Sequence, residues 1–220
     1  MHDTMVRTEM TCMFRAGEDT AYPYTPRVER LGVFGGTFDP VHIAHIVVAT
    51  ETRAALGLDR VLLVVAGDPW QKRGKVVASA RDRLMLVEAA ADGVNGVEAS
   101  ALEVEREAAS VTADTLEALA GPHRELFVVL GADAVANMST WRRLDDTRKL
   151  ATIVIVERLG DAYAEPPGSG WKVERVAIPR LDVSSTDLRD RLASGRPVDG
   201  LIPPSVVHAI EAHGLYTGGR

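Results

Sequence analysis

Between Leu31 and His45 the sequence reads LGVFGGTFDPVHIAH, an order of residue types that suits the binding of an anion. The apolar run Leu31 to Phe34 predicts a short buried strand. Gly35 and Gly36 then permit backbone angles closed to other residues. Asp39-Pro40 predicts a helix cap followed by a first helical residue, and the helix carries His42 and His45 on one face of its first turn. A strand, a glycine turn and a helix start gather backbone N–H groups and a positive helix end around a small cavity. Phosphate oxygens fit such a cavity. Far downstream, Ser184-Ser185-Thr186-Asp187-Leu188-Arg189 predicts a second grip of the same kind. Hydroxyls and N–H groups at a helix start bind phosphate, and Arg189 adds a planar charge one turn in.

These segments must be positioned by the elements around them. The continuous apolar runs RVLLVV (60–65), LFVVL (126–130) and TIVIV (152–156) predict strands buried on both faces. Val97 to Val104 and Lys172 to Ile178 predict two more, the first with a ragged end. Between them, Ser79 caps a predicted helix to Ala91 whose apolar set is Leu84, Leu86, Val87 and Ala90. Ser110 or Thr112 caps a helix through TADTLEALAG, closed by Gly121-Pro122. Short helices over 133–138 and 145–150 flank Trp141, a helix runs from Ser184 to Ala193, and Pro203 or Pro204 opens the last helix, through Ala212. This alternation predicts an α/β fold: a doubly wound, mostly parallel sheet with a small C-terminal helical portion. Ligands in such sheets bind beyond the carboxyl ends of the strands, and Gly35, Gly131 and Arg158 are expected on that rim.

Composition narrows the classes. The 220 residues are enough for one full domain; 46% are hydrophobic and 25% charged, as in globular proteins. The net charge of -6 lacks the basic stripe of a nucleic-acid binder, and the basic cluster Gln71-Lys72-Arg73-Gly74-Lys75 suits a small polyphosphate better. Cys12 is the single cysteine, so an internal disulfide is excluded and a reducing cytoplasm is the expected setting. No apolar run approaches membrane-spanning length. Residues 1–29, polar, with two prolines and no periodicity, read as a flexible extension before a folded domain over 30–217.

The segment GTFDPVHIAH resembles the GxFxPxHxGH signature of the nucleotidyltransferase superfamily, with Ala44 standing where the pattern has Gly. Val183 to Arg189 resembles that superfamily's ISSTxIR element. Ser110-Val111-Thr112-Ala113-Asp114-Thr115-Leu116 is similar to the SYTxDTL element of bacterial nicotinate-nucleotide adenylyltransferases, with Val111 in place of Tyr. Gly131-Ala132-Asp133 with Trp141 resembles their GAD…W element. Gly67 to Lys72 resembles a loop of their actinobacterial members, and Glu157-Arg158-Leu159-Gly160 sits where the family has an Arg-Pro-Gly turn.

The resemblance implies adenylyl transfer from ATP to nicotinate mononucleotide, giving the deamido dinucleotide and pyrophosphate. The nucleophile is already an ionised phosphate oxygen, which accords with the lack of any Ser–His–Asp or paired-carboxylate arrangement. The resemblance assigns His42, His45 and Arg189 to catalysis. It assigns Gly35, Gly36, Thr37, Phe38, Lys72, Gly131, Asp133, Arg158, Ser185 and Thr186 to ATP. Thr112, Trp141 and Trp70 are assigned to the mononucleotide, with Trp141 stacked on the pyridine ring. Magnesium is expected on the ATP phosphates and water, without protein ligands. A homo-oligomer is left open, and no nucleic-acid or membrane partner is expected. Two alternatives stand beside this reading: an adenylyltransferase for nicotinamide mononucleotide or phosphopantetheine, and a nucleotide-binding paralogue without turnover.

Overall fold

The computed structural model describes residues 27–69, 76–106, 108–158 and 163–218. Six parallel strands form one sheet in the order β3-β2-β1-β4-β5-β6. They are β1 (Glu29–Gly36), β2 (Arg60–Val65), β3 (Val97–Ser100), β4 (Arg124–Gly131), β5 (Ala151–Arg158) and β6 (Val173–Ile178). The sheet is therefore wholly parallel rather than mostly so. Its order reverses between β1 and β4, which makes that crevice the topological switch point.

The apolar strands bury both faces by alternation. Leu62 and Val64 of β2, Leu126, Val128 and Leu130 of β4, and Ile153 and Ile155 of β5 enter one core. Val61, Leu63, Val65, Phe127, Val129, Val154 and Val156 enter the core on the other face. Glu29 ties the strand starts together: its carboxylate accepts from Arg60 on β2 at 2.8 Å and from Arg124 on β4 at 2.6 Å. Burial alone would raise the Glu29 pKa, but the two guanidinium groups outweigh it and hold the pKa below its ordinary value. Arg27, just before β1, pairs with Asp59 at 2.5 Å. Residues 1–26 lie outside the described residues.

Helices cover both faces: α1 (Ile43–Leu56), α2 (Ala80–Ala91), α3 (Leu102–Glu105), α4 (Thr112–Leu119), α5 (Ala132–Ala136), α6 (Leu144–Leu150), α7 (Ser185–Ala193) and α8 (Pro204–Ala212). Ser79 caps α2 as expected, its hydroxyl accepting from the Asp82 N–H at 3.1 Å. Gly57 ends α1 in the left-handed region at φ 58°, where glycine carries no side-chain penalty. The C-terminal helices are anchored to the rest. Ser205 Oγ donates to Ala89 O at 2.6 Å, and Ile43 N–H donates to Leu201 O at 3.0 Å.

Four local expectations are corrected. Asp39-Pro40 does not cap α1; the N-cap is His42, in extended backbone, because the Asp39 carboxylate is committed elsewhere. Neither Gly35 nor Gly36 takes a positive φ, and both belong to β1. A Cβ on Gly36 would lie 2.9 Å from the Phe38 ring, so close packing explains that glycine. The strand expected over 97–104 stops at Ser100, and its ragged end is α3. Neither Ser110 nor Thr112 caps α4, whose N-cap is Val111.

Candidate active site

At the carboxyl ends of β1 and β4 lies a cleft of about 360 Å³. Gly35, Gly36 and Thr37 form one wall, Thr112 and Thr115 of α4 another, and Asp133 with Trp141 a third. Each wall follows from local sequence. A Cβ on Gly35 would meet nothing within 4 Å, so glycine there leaves the cleft open. Gly131 is the last residue of β4, and Asp133 stands in the first turn of α5 directly after it. Trp141 follows the 3₁₀ turn Met138–Thr140 and packs its half-buried ring against the core beneath. Val111 has no side chain that can cap; the Asp114 N–H turns back to Val111 O at 3.1 Å, and the N–H groups of Thr112 and Ala113 remain for other acceptors. Inside the cleft, Thr115 Oγ1 donates to the buried Glu103 carboxylate at 2.5 Å. The Arg106 guanidinium stands 4.0 Å from the same oxygen.

Beside this cleft the loop after β1 leads to the histidines. His42 and His45 are stacked, with ring centroids 3.8 Å apart and planes 30° from parallel. His45, three residues into the helix start, reaches back so that its Nδ1 accepts from the His42 N–H at 3.1 Å. An accepting Nδ1 places the ring proton of neutral His45 on Nε2. The Phe38 ring meets His45 edge-on at 4.9 Å and fixes the plane of the imidazole. Phe38 is 1% exposed and does not belong to the cleft wall. Ala44 is only 4% exposed and also absent from that wall, so its methyl does not narrow the cleft.

The second expected grip closes onto the same loop. Ser184 caps α7 by accepting from the Asp187 N–H at 3.2 Å. Ser185 Oγ donates to Pro40 O at 3.0 Å. Arg189 donates to Asp39 O at 2.7 Å and to Thr186 Oγ1 at 3.3 Å. The expected residues therefore fall into two neighbouring groups: Gly35, Gly36, Thr37, Thr112, Asp133 and Trp141 on the cleft wall, and His42, His45, Ser185, Thr186 and Arg189 around the loop. Trp70 and Lys72 lie outside the described residues. Arg158 is placed at the end of β5 by its backbone alone.

Sequence reasoning missed the buried polar supports. Arg83 is 1% exposed and donates to three carbonyls, Thr37 O and Ala66 O at 2.7 Å and Ala78 O at 3.3 Å. It thereby joins the loops that follow β1 and β2. Burial pushes its pKa below the ordinary guanidinium value, opposed by the nearby Asp39 carboxylate. A signal for it existed: Arg83 shares one helical stripe with Leu86, Val87 and Ala90, where an arginine must be paired. Leu84, expected on that stripe, is only half-buried. Asp39 and Tyr216 left no such signal. They are 177 positions apart and join by a hydrogen bond of 2.8 Å.

Among the described residues no group of three His, Cys, Asp or Glu side chains could hold a metal ion. No helix among them is long and apolar enough to cross a membrane.

Known proteins resemble this arrangement. The profile of the cytidylyltransferase-like family matches residues 33–191, a span that contains both the histidine loop and Arg189. A relative from Roseiflexus, described as a "probable nicotinate-nucleotide adenylyltransferase", is 42% identical over 84% of this chain and 97% of its own. One from Corynebacterium kroppenstedtii with the same description is 41% identical over 85% of this chain and 90% of its own. The solved structure of the Plasmodium falciparum nicotinic acid mononucleotide adenylyltransferase complexed with NaAD superposes with a TM-score of 0.69 at 19% identity, over 86% of this chain and 97% of that one. The fold is thus shared well beyond sequence similarity, and the chain belongs to the cytidylyltransferase-like family of nucleotidyltransferases, on the branch of the nicotinate-nucleotide adenylyltransferases.

Proposed function

We propose that this enzyme transfers the adenylyl group of ATP to nicotinate mononucleotide. One observation carries the reading: a single cleft at the switch point runs from the aromatic wall of Trp141 and the start of α4 to the Gly36–Thr37 edge, where the histidine loop begins. Its two ends suit the two ends of the reaction. A phosphate oxygen of the mononucleotide attacks the α-phosphorus of ATP. The bond from that phosphorus to the bridging oxygen breaks, and pyrophosphate leaves with the electron pair. The attacking oxygen is already ionised, so the protein's task is to align two anions and stabilise charge.

His45 suits the second part. Its Nδ1 is occupied by the His42 N–H, so Nε2–H is the donor it offers. A donor held by a stacked ring and a phenylalanine edge needs little reorganisation as charge develops. His42, Ser185, Thr186 and Arg189 surround the same loop and are assigned to the phosphates. Lys72 and Arg158 are assigned there on the family resemblance alone, and so is Trp70 at the mononucleotide. Gly35, Gly36 and Thr37 admit the nucleotide closely, and Asp133 on the cleft wall is assigned to the sugars, whose hydroxyls a carboxylate can accept from, while Gly131, the last residue of β4, is assigned to ATP on the family resemblance alone. Magnesium, which neutralises triphosphate charge, would be held mainly by the phosphates and water.

The aromatic end sets the choice of mononucleotide. Nicotinate and nicotinamide differ as carboxylate and carboxamide, so a selective pocket presents donors and no acceptor. The uncapped start of α4 presents N–H groups and its positive end beside Thr112, while Trp141 holds the ring flat. One charge-assisted hydrogen bond contributes about 1.5–3 kcal/mol, which corresponds to a preference of roughly ten- to one-hundred-fold. The test compares kcat/KM for the two mononucleotides with ATP and Mg²⁺, before and after Trp141→Ala. A preference for nicotinate that weakens in the variant supports the reading. Equal efficiency with both substrates contradicts it.

A further inference from the structure

The loop between β1 and α1 turns on one buried carboxylate. Asp39 is 2% exposed and gathers partners from three distant segments. Val77 N–H and Ala78 N–H, just before α2, donate to it at 2.8 and 3.1 Å. The Tyr216 hydroxyl, beyond α8, donates to its Oδ1 at 2.8 Å. Arg189 of α7 stands 3.7 Å from Oδ2 and donates to the Asp39 carbonyl at 2.7 Å. The next carbonyl, of Pro40, accepts from Ser185 of the same helix. The peptide that leads into His42 is therefore held by α7 on its carbonyls and by Tyr216 on its side chain.

Tyr216 is more than filling for the core it touches. Its backbone takes φ 59°, a left-handed conformation that a bulky residue adopts at a cost. That conformation carries the ring inward until it is 9% exposed, with its one polar atom on Asp39. Burial, then the hydrogen bond and charge of Asp39, push the hydroxyl well above the ordinary tyrosine pKa, so it remains a donor throughout the working range. We propose that Tyr216 is a positioning residue for the transfer step: by donating to Asp39 Oδ1 it holds the Asp39–Pro40 segment on which Arg189 and the His42/His45 pair are registered. The role rests on the proposed function above, because Arg189 and the histidines act on phosphate only under that reading. Tyr216 is not part of the cleft wall, so its contribution acts through geometry and falls on the rate rather than on substrate affinity.

The test is Tyr216→Phe, which removes one oxygen and keeps the ring. Ile210→Val on α8 is the packing control, a loss in the same core that removes no hydrogen-bonding group. We expect kcat to fall between about ten- and one-hundred-fold in Tyr216→Phe, with both KM values within about twofold of the parent. Ile210→Val lowers the melting temperature and leaves kcat unchanged. Combined with Arg189→Lys, the Phe variant loses much less than the product of the two single losses, because both substitutions loosen the same segment. A parent-like kcat in Tyr216→Phe, or losses that simply multiply, overturns the positioning role while the proposed function stands. A parent protein that does not turn over ATP with either mononucleotide overturns the proposed function and the positioning role with it.

Discussion

His45 does two jobs with its two ring nitrogens, and the division explains why its spacing from His42 matters. Nδ1 closes the helix start by accepting from the His42 N–H, and this leaves Nε2–H as the donor. On the proposed function, truncation therefore removes a transition-state donor and a cap together. His45→Ala is expected to lower kcat by about 10²–10³-fold, while stability falls by only about 1 kcal/mol from the lost cap. Steady-state kinetics beside a thermal melt separates the two effects, and near-parent turnover in the folded variant contradicts the assignment. The histidine pair was legible because three-residue spacing survives any small shift of the helix start. Asp39 was misread for the opposite reason. An aspartate before a proline has the look of a cap, and only the tertiary structure brings Val77, Ala78 and Tyr216 to claim its oxygens first.

The elements were legible where one signal dominated. Continuous valine and leucine runs marked β2, β4 and β5, because strands buried on both faces have no polar alternation to blur them. Around residue 100 two signals compete. The alternation that begins at Val97 continues in type through Val104, yet the chain turns at Ala101 into the short helix α3. That turn brings Glu103 to the cleft, where Thr115 holds it. Helix α2 contributes something its apolar pattern concealed. By bonding Thr37 O and Ala66 O, Arg83 sets the spacing of the two loops that border the cleft. Arg83→Leu leaves three carbonyls without their donor and is expected to cost about 3 kcal/mol or more. That corresponds to a fall of roughly 6–12 °C in Tm for a domain of this size. Calorimetry checks this, and a Tm within a degree of the parent would contradict a structural role for the guanidinium.

At the scale of the whole molecule, function follows from where the sheet reverses. Strands β1 and β4 send their following segments to opposite faces, and the crevice between them collects the Gly36 edge, the start of α5 and the histidine loop. The C-terminal helices then return to the same end, so that α7 and Tyr216 brace a loop laid down near the other end of the described chain. The doubly wound sheet and the rim at its strand ends could be read from alternation, whereas the strand order that locates the reversal came with the tertiary structure. The bracing could not be read either, because it consists of single hydrogen bonds between residues more than a hundred positions apart. The account as a whole stands on one chemical event, the attack of a mononucleotide phosphate on the α-phosphorus of ATP. The most direct measurement supplies ATP labelled at the α-phosphorus together with nicotinate mononucleotide and Mg²⁺, and separates the products. The label is expected in the deamido dinucleotide, with one unlabelled pyrophosphate released for each dinucleotide formed. Label that remains in ATP, or that leaves as free AMP without a dinucleotide, would contradict it.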